Sequence, residues 1–447
     1  MEEKSPRSRG NLYVQVWRLA IPLILANLTL PLLGLVDTAV IGDLSAAHIG
    51  SVALGATVFS FLYWGLAFLK LSTTGLAAQA YGAGDIETAL TWLARSLLIA
   101  ISFGALMVLL QVPIIYTAIT LISPTADVNQ YLQDYMFFRI WGAPAALANI
   151  AILGWLIGLQ RVNHALLLQV VINGLNIFLD IVLAQWLEME VAGVALATMI
   201  SQFAGFGAGL YLVARIKNQY ALDWKIKKIL DQKHLVALMV LNRDIFVRSL
   251  LLIVAVSMFT IQGSRMGELI LAANGILLIF QSFIAYGLDG FAHAAESLVG
   301  KAVGANDRVS LRSAVKVSTL LAVIVSVGCS IFLIIFGGGI IVWMTSLPEV
   351  QAVTGQFFIW VVISPIISVW AFQFDGIFIG ATRAREMRNA MIVSFSFYLV
   401  LMVSLVDYMG NHGLWLAFSI FMIARGATLI ALYPRLERGA IENNEKN

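Results

Sequence analysis

The chain has 447 residues, of which 60% are hydrophobic and 12% charged, and a mean hydropathy of +0.88, values that exclude a soluble globular protein. The formal net charge of +3 carries little by itself, and no nucleic-acid partner is expected from it. The single cysteine, Cys329, excludes a disulfide within the chain and a thiolate metal site. The expected class is an all-α polytopic membrane protein.

In chain order, residues 1–11 carry Lys4, Arg7 and Arg9 without a cleavable signal, because the apolar run that follows is too long and contains two prolines and an aspartate. Apolar runs then predict twelve transmembrane helices: 12–41, 49–78, 91–120, 131–158, 163–186 and 191–216, followed by 243–264, 269–299, 310–344, 351–380, 387–408 and 412–433. Helix 1 holds Asp37 about a turn from one end, with Pro22 and Pro31 before it on the same helix. A carboxylate at depth costs at least ~2.5 kcal/mol and so faces a cavity, a partner or a proton path. Each proline removes a backbone hydrogen bond, and a bend in helix 1 on the approach to Asp37 is expected.

Lysines and arginines choose the orientation. The N-terminus, alternate breaks including Lys225, Lys227, Lys228, Lys233, Lys301, Arg308, Arg383 and Arg385, and the C-terminus hold nearly all of them. The other breaks carry Asp43, Asp127, Glu188, Glu190, Glu349 and Asp407. Both termini are therefore expected in the cytoplasm.

A repeat divides the chain. Gln79-Ala-Tyr-Gly-Ala-Gly-Asp85 returns as Lys301-Ala-Val-Gly-Ala-Asn-Asp307, and Gly158-Leu-Gln-Arg161 as Gly380-Ala-Thr-Arg383, both at an offset of 222 residues. Gly193-Val-Ala-Leu-Ala197 resembles Gly413-Leu-Trp-Leu-Ala417 at 220. The expected organisation is a tail (1–11), an N-lobe (12–216), a basic linker (217–242), a C-lobe (243–434) and a second tail (435–447). Six spans per half make the lobes parallel repeats, with a central cleft as the expected substrate site.

Polar residues gather at one depth of the first half. Helix 5 carries Asn173, Asn176 and Asp180, the last two one helical turn apart, and by rise per residue Asp37, Asp180 and Thr198 of helix 6 fall in the same outer slab. Two carboxylates and an amide at one depth point to a proton or cation site, against the simpler reading of polar groups that only hold helices together. Two ionised aspartates there would repel, so one shared proton is expected, with its arrival bending helix 1 at its prolines. In the second half Asp289, His293 and Glu296 share a face of helix 8, with Asp375 on helix 10; these are expected to form an inner gate network.

At this point the chain resembles the multidrug and toxic compound extrusion (MATE) transporters, in their DinF-like branch. The stretches that carry the resemblance are 31–42, 72–83, Leu241-Asn-Arg-Asp-Ile245, Tyr286-Gly-Leu-Asp-Gly-Phe-Ala292 and Phe378 to Asn389, spread over essentially the whole chain. The resemblance implies two six-helix lobes and an N-lobe proton or sodium site at Asp37, Asn176, Asp180 and Thr198, with Asn173 in the pocket and Pro22 at the bend. In the NorM-like branch a helix 7 glutamate and a helix 10 aspartate serve in the C-lobe. Here Asp375 is present but the helix 7 position, near Leu252, is apolar, which leaves the N-lobe as the coupling site.

The function expected is cation-coupled antiport, with H+ before Na+, that exports amphipathic or aromatic organic compounds across a bacterial inner membrane. Membrane lipid and a small organic substrate are the expected partners, a monomer the expected state, and no cofactor or resident metal is called for. Absence of a nucleotide-binding motif argues against ATP hydrolysis, and a transporter rather than an enzyme is expected. Two alternatives stand beside this reading. A lipid or lipid-linked oligosaccharide flippase of the same superfamily would need basic residues such as Arg139 and Arg425 in the cleft, and an intramembrane aspartyl protease would need Asp289 and Asp375 to meet as a coupled pair.

Overall fold

Long apolar runs leave the backbone in lipid no partner but itself, and the chain answers with helices throughout. The computed structural model describes residues 9–42 and 44–442, and their side chains except those at 9, 10, 30–35, 37, 38 and 440–442. The order is α1 (Arg9–Val40), α2 (Ala46–Gly65), α3 (Phe68–Gly82), α4 (Ile86–Leu109), α5 (Gln111–Ile122), α6 (Ala126–Ile140), α7 (Ala143–Gly158) and α8 (Val162–Asp180), which a π-helical turn (Ile181–Trp186) extends. Then follow α9 (Glu190–Gln219), the short α10 (Ile226–Ile229), α11 (Gln232–Ser264), α12 (Glu268–Gly304), α13 (Arg308–Met344), α14 (Pro348–Gly380), α15 (Ala384–Met409) and α16 (Asn411–Glu442). Among the described residues eleven helical stretches are long and apolar enough to cross a membrane; α6 and α7, bent by 54° at their junction, make a twelfth when counted as one.

The helices form two compact units. One holds Leu25 to Met239; the other holds the chain from Val240 together with α1 up to Ile24. The sequence places all of helix 1 with the first half, whereas the unit boundary falls inside α1. Its early turns belong with α12: Trp17 meets Phe291 edge to face at 5.2 Å, and Gly290 leaves room for Ala20 and Ile24.

In the first unit α3 and α4 pack on α7, α8 packs on α9, and α6 lies against α2 and α9. Trp155 fills the interior, its indole N–H donating to Ala89 O at 2.9 Å. In the second unit α12 packs on α13 and α14, and α16 on α14 and α15. Its core is aromatic, with Phe259 against Trp415 at 4.8 Å and Tyr398 against Phe421 at 5.3 Å. Asn274 and Asn411 exchange amide hydrogen bonds at 2.8 and 2.9 Å, which removes the cost of burying either.

The sequence repeat becomes a repeat of packing. Asp85 caps α4 by accepting from Thr88 N at 2.8 Å, and Asp307 caps α13 by accepting from Ser310 N at 2.9 Å. Gly84 and Asn306 before them take the same left-handed turn, as do Gln160 and Thr382 in the second motif. A Cβ on Gly158 would strike the backbone of Thr74 and Ala78, and one on Gly380 that of Glu296 and Gly300. Each pair of obstacles is separated by the same 222 residues as the glycines. Glycine at these points lets two helices approach backbone to backbone, α3 on α7 in one unit and α12 on α14 in the other.

Candidate functional site

Helix α8 presents Asn173, Asn176 and Asp180 on one face toward α1 and α9. Asp180 is completely buried and Asn176 is 1% exposed; Asn173 and Thr198 are buried as well. Asn176 Nδ2 divides its donors between Asp180 Oδ1 and Thr198 Oγ1, each at 3.4 Å, long for a hydrogen bond. Its Oδ1 is buried with no hydrogen-bond partner among the described residues. Thr198 Oγ bonds back to Val194 O at 3.1 Å, and Ser201 Oγ donates to Thr198 O at 2.8 Å. A carboxylate, an amide oxygen and a hydroxyl oxygen, loosely bonded in an apolar wall, make an acceptor set suited to a proton or a hard cation.

The chain beyond Asp180 is irregular. The π-helical turn Ile181–Trp186 closes with Leu187 N on Val182 O at 3.0 Å, an i to i+5 bond. Such turns re-aim the side chains next to them. Gln185 in this turn donates Nε2 to Val40 O of α1 at 3.0 Å. On the other side, Asn173 Nδ2 donates to Thr29 Oγ1 of α1 at 2.6 Å and its Oδ1 accepts from Gln169 Nε2 at 2.8 Å. These two bridges hold α1 against α8 before and after Asp37. The backbone of Asp37 lies in α1 between them, while its side chain, like that of Pro31, lies outside the described residues. Pro22 is half-buried in α1, which runs as one helix from Arg9 to Val40.

Of the expected residues, the structure brings together Asn176, Asp180 and Thr198, and sets Asn173 on α1 beside them. Thr29, Gln169 and Gln185 are additions. Each is a polar residue among apolar neighbours, a signal the sequence carries, but only packing reveals that all three serve the same face.

Of the four residues expected at an inner gate, two meet on α12 and one joins a pair of arginines. His293 Nδ1 meets Glu296 Oε2 at 2.8 Å within α12, with Glu296 fully buried. Asp375 of α14 accepts from Arg425 Nη2 of α16 at 2.6 Å and from Arg248 of α11 through the same oxygen. Asp289, half-buried on α12, interacts electrostatically with Arg425. Arg248 was not singled out by the sequence, because its partner is 127 residues away. Arg139, one of the two basic residues a flippase would need, bonds Tyr135 OH and lies over the Phe59 ring at 5.0 Å.

The MatE family model matches residues 22–182 and again 245–406, one match in each half, as the repeat requires. DNA damage-inducible protein F of Escherichia coli (strain K12) is 42% identical over 421 residues, covering 94% of this chain and 92% of that protein. Protein DETOXIFICATION 45, chloroplastic, of Arabidopsis thaliana is 22% identical over 440 residues, 94% of this chain and 77% of its own. Among solved structures, the Vibrio cholerae MATE transporter VcmN in its bent form superposes with a TM-score of 0.87 at 19% identity, covering 97% of this chain and 99% of that one. A MOP superfamily transporter from Pyrococcus furiosus does so with a TM-score of 0.84 at 20% identity, covering 98% and 100%. The structural likeness shows the fold. Together with the family match and the 42% relative, it establishes that the chain is a multi-pass membrane protein of the MatE family of multidrug and toxic compound extrusion transporters.

Proposed function

We propose that the chain exports amphipathic or aromatic organic compounds in exchange for protons, with Asp37, Asn173, Asn176, Asp180 and Thr198 as the coupling and substrate pocket. The observation that carries this reading is Asp180: a carboxylate with no exposure, in an apolar helix, bonded to an amide that also reaches Thr198. Such a group persists in a membrane because it takes and releases a charge in the work cycle. The bridges from Asn173 to Thr29 and from Gln185 to Val40 support a mechanical link by which a change in this pocket reaches α1. A proton arriving between Asp180 and Asp37 changes which groups donate and which accept, and α1, crossed by Pro22 and Pro31, is the element able to answer by bending. Sodium is the alternative ion at Asp37, Asn176, Asp180 and Thr198.

In this reading the protein sits as a monomer in a bacterial inner membrane, with both termini and the basic linker in the cytoplasm. Asp289, His293, Glu296 and Asp375 serve gating, Asp375 through its ties to two arginines rather than as a second coupling acid. The test is dye export from proteoliposomes under separately imposed proton and sodium gradients. Export driven by the proton gradient alone supports the reading. Export that follows sodium and ignores the pH difference replaces the ion, and export with neither gradient removes antiport altogether.

A further inference from the structure

Arg248 and Arg425 share Asp375 deep in the second unit. Side-chain exposure is 3% for Arg425, 11% for Arg248 and 9% for Asp375. Arg425 lies within the apolar span Asn411–Gly439, and Arg248 within Gln232–Ser264, five residues into the crossing expected at 243–264. Charges at such depth mark a partner or a path.

The donors are used unevenly. A guanidinium offers the edge formed by Nε and Nη2 as a fork that matches the two oxygens of a carboxylate, sulfonate or phosphate. Asp375 takes Nη2 of both arginines through its single Oδ2 atom. The Nε–H of each is buried with no hydrogen-bond partner among the described residues, a state that disfavours the site as it stands. Arg425 spends its other donor weakly, on Met422 Sδ at 3.1 Å, and lies over Phe421 at 5.6 Å. Asp375 sets one negative charge against the two arginines, and Asp289 adds a second carboxylate that also acts on Arg425. About a turn along α16, Met422 borders a small cavity that Gln281, Ser364, Phe418 and Ser419 also line.

We propose that Arg248 and Arg425 form a binding site for the anionic group of an amphipathic aromatic solute, which takes the two-donor edges that Asp375 half occupies. Asp375 is the internal stand-in that keeps both guanidiniums in place when no ligand is present. The site is separate from the proton pocket of the first unit, and its test is a binding measurement that does not depend on coupling.

The full chain in phosphatidylcholine nanodiscs is titrated with fluorescein, an anionic xanthene, and with a cationic rhodamine ester of similar shape, read by fluorescence anisotropy. Fluorescein is expected to bind saturably, and Arg425→Gln or Arg248→Gln to weaken it by roughly tenfold or more while leaving the rhodamine ester unaffected. Since removal of one arginine leaves Asp375 buried beside a single partner, Arg425→Gln combined with Asp375→Asn provides a charge-balanced variant, and it too should lose fluorescein. Asp375→Asn alone frees both edges and should tighten fluorescein. Displacement of fluorescein from the wild type by phosphatidylglycerol in the disc, absent in the arginine variants' residual binding, also supports the site and names a lipid phosphate as its occupant. The proposal is overturned if fluorescein does not bind, if the arginine variants bind it as well as the wild type, or if Asp375→Asn weakens it as they do.

Discussion

Asn173 donates its amide to the hydroxyl of Thr29 at 2.6 Å, and this contact fastens the middle of α8 to α1 two helical turns ahead of Asp37. Thr29 itself bonds back to Ala26 O at 2.7 Å, so the hydroxyl is both donor within α1 and acceptor from α8. The proposed coupling pocket thus includes a link between two helices, one of which carries the prolines.

Thr29→Val keeps the shape of the side chain and removes that acceptor. The Asn173 amide is then buried with one donor unmet, a cost of about 1–3 kcal/mol. A lowered unfolding temperature and slower proton-driven dye export are expected, both partly restored by Thr29→Ser. Unchanged export in Thr29→Val would show that the link has no part in transport.

The backbone contact of α12 with α14 predicts a steric result. Gly380→Ala places a methyl group against Glu296 O and Gly300 N, and overpacking of this kind costs about 1–3 kcal/mol. Gly158→Ala, its counterpart, meets Thr74 O and Ala78 N and should behave alike. Gly355 and Gly207 have open space around a Cβ, so alanine there should be neutral or slightly stabilising. Thermal unfolding of the purified variants in detergent separates the two classes; equal behaviour of all four would contradict the packing.

The basic linker is docked in the first unit. Lys225 and Lys228 each meet Glu87 at 2.7 Å, Arg95 donates Nε to Ile229 O at 3.2 Å and also bonds Lys228 O, and Asp231 accepts from the His234 ring at 2.8 Å. A cation on the last carbonyls of α10 is favourable. The hydrogen bond to Glu87 holds Lys228 above its usual value, and those to Lys225 and Lys228 hold Glu87 below its own. This contact is therefore complete between the ordinary glutamate and lysine ranges, and is lost as pH rises through the higher folded lysine value or falls through the lower folded glutamate one. The hydrogen bond to His234 holds Asp231 below the usual carboxylate value, so its contribution is present above that value and disappears as pH falls through the lower folded one. Linker cleavage by a protease should therefore be constant from mildly acid to mildly alkaline pH. It should rise with salt, and rise strongly in Glu87→Lys, where three positive charges face each other. Cleavage as slow in Glu87→Lys as in the wild type would remove the docking.

Hydropathy located the spans because lipid imposes length and apolarity on each crossing, and the boundaries of α9, α12 and α14 fall close to those expected. The repeat was legible for a different reason: Gly158 and Gly380 are demanded by backbone contact and Asp85 and Asp307 by capping, so the same letters recur. Breaks within spans were not legible. The gap between α2 and α3 at Leu66 and Ala67, the bend between α6 and α7, and the π-helical turn after Asp180 leave mean apolarity unaltered. Asn173, Asn176 and Asp180 stood out as a polar face on one helix, but the partners that define a charge's role came from other helices. Arg248 is 127 residues and Arg425 50 residues from Asp375, and pairings at that range exist only once the helices pack.

The claim that Asp180 and its neighbours exchange a proton for substrate is tested most directly by counting protons. Purified chain in weakly buffered detergent near neutral pH is mixed with a transported dye, and proton release is read by a pH indicator, for the wild type and for Asp180→Asn. The account predicts about one proton or more released per dye bound by the wild type and a clear loss of release in Asp180→Asn, with the variant still folded. Equal release from both proteins would contradict it.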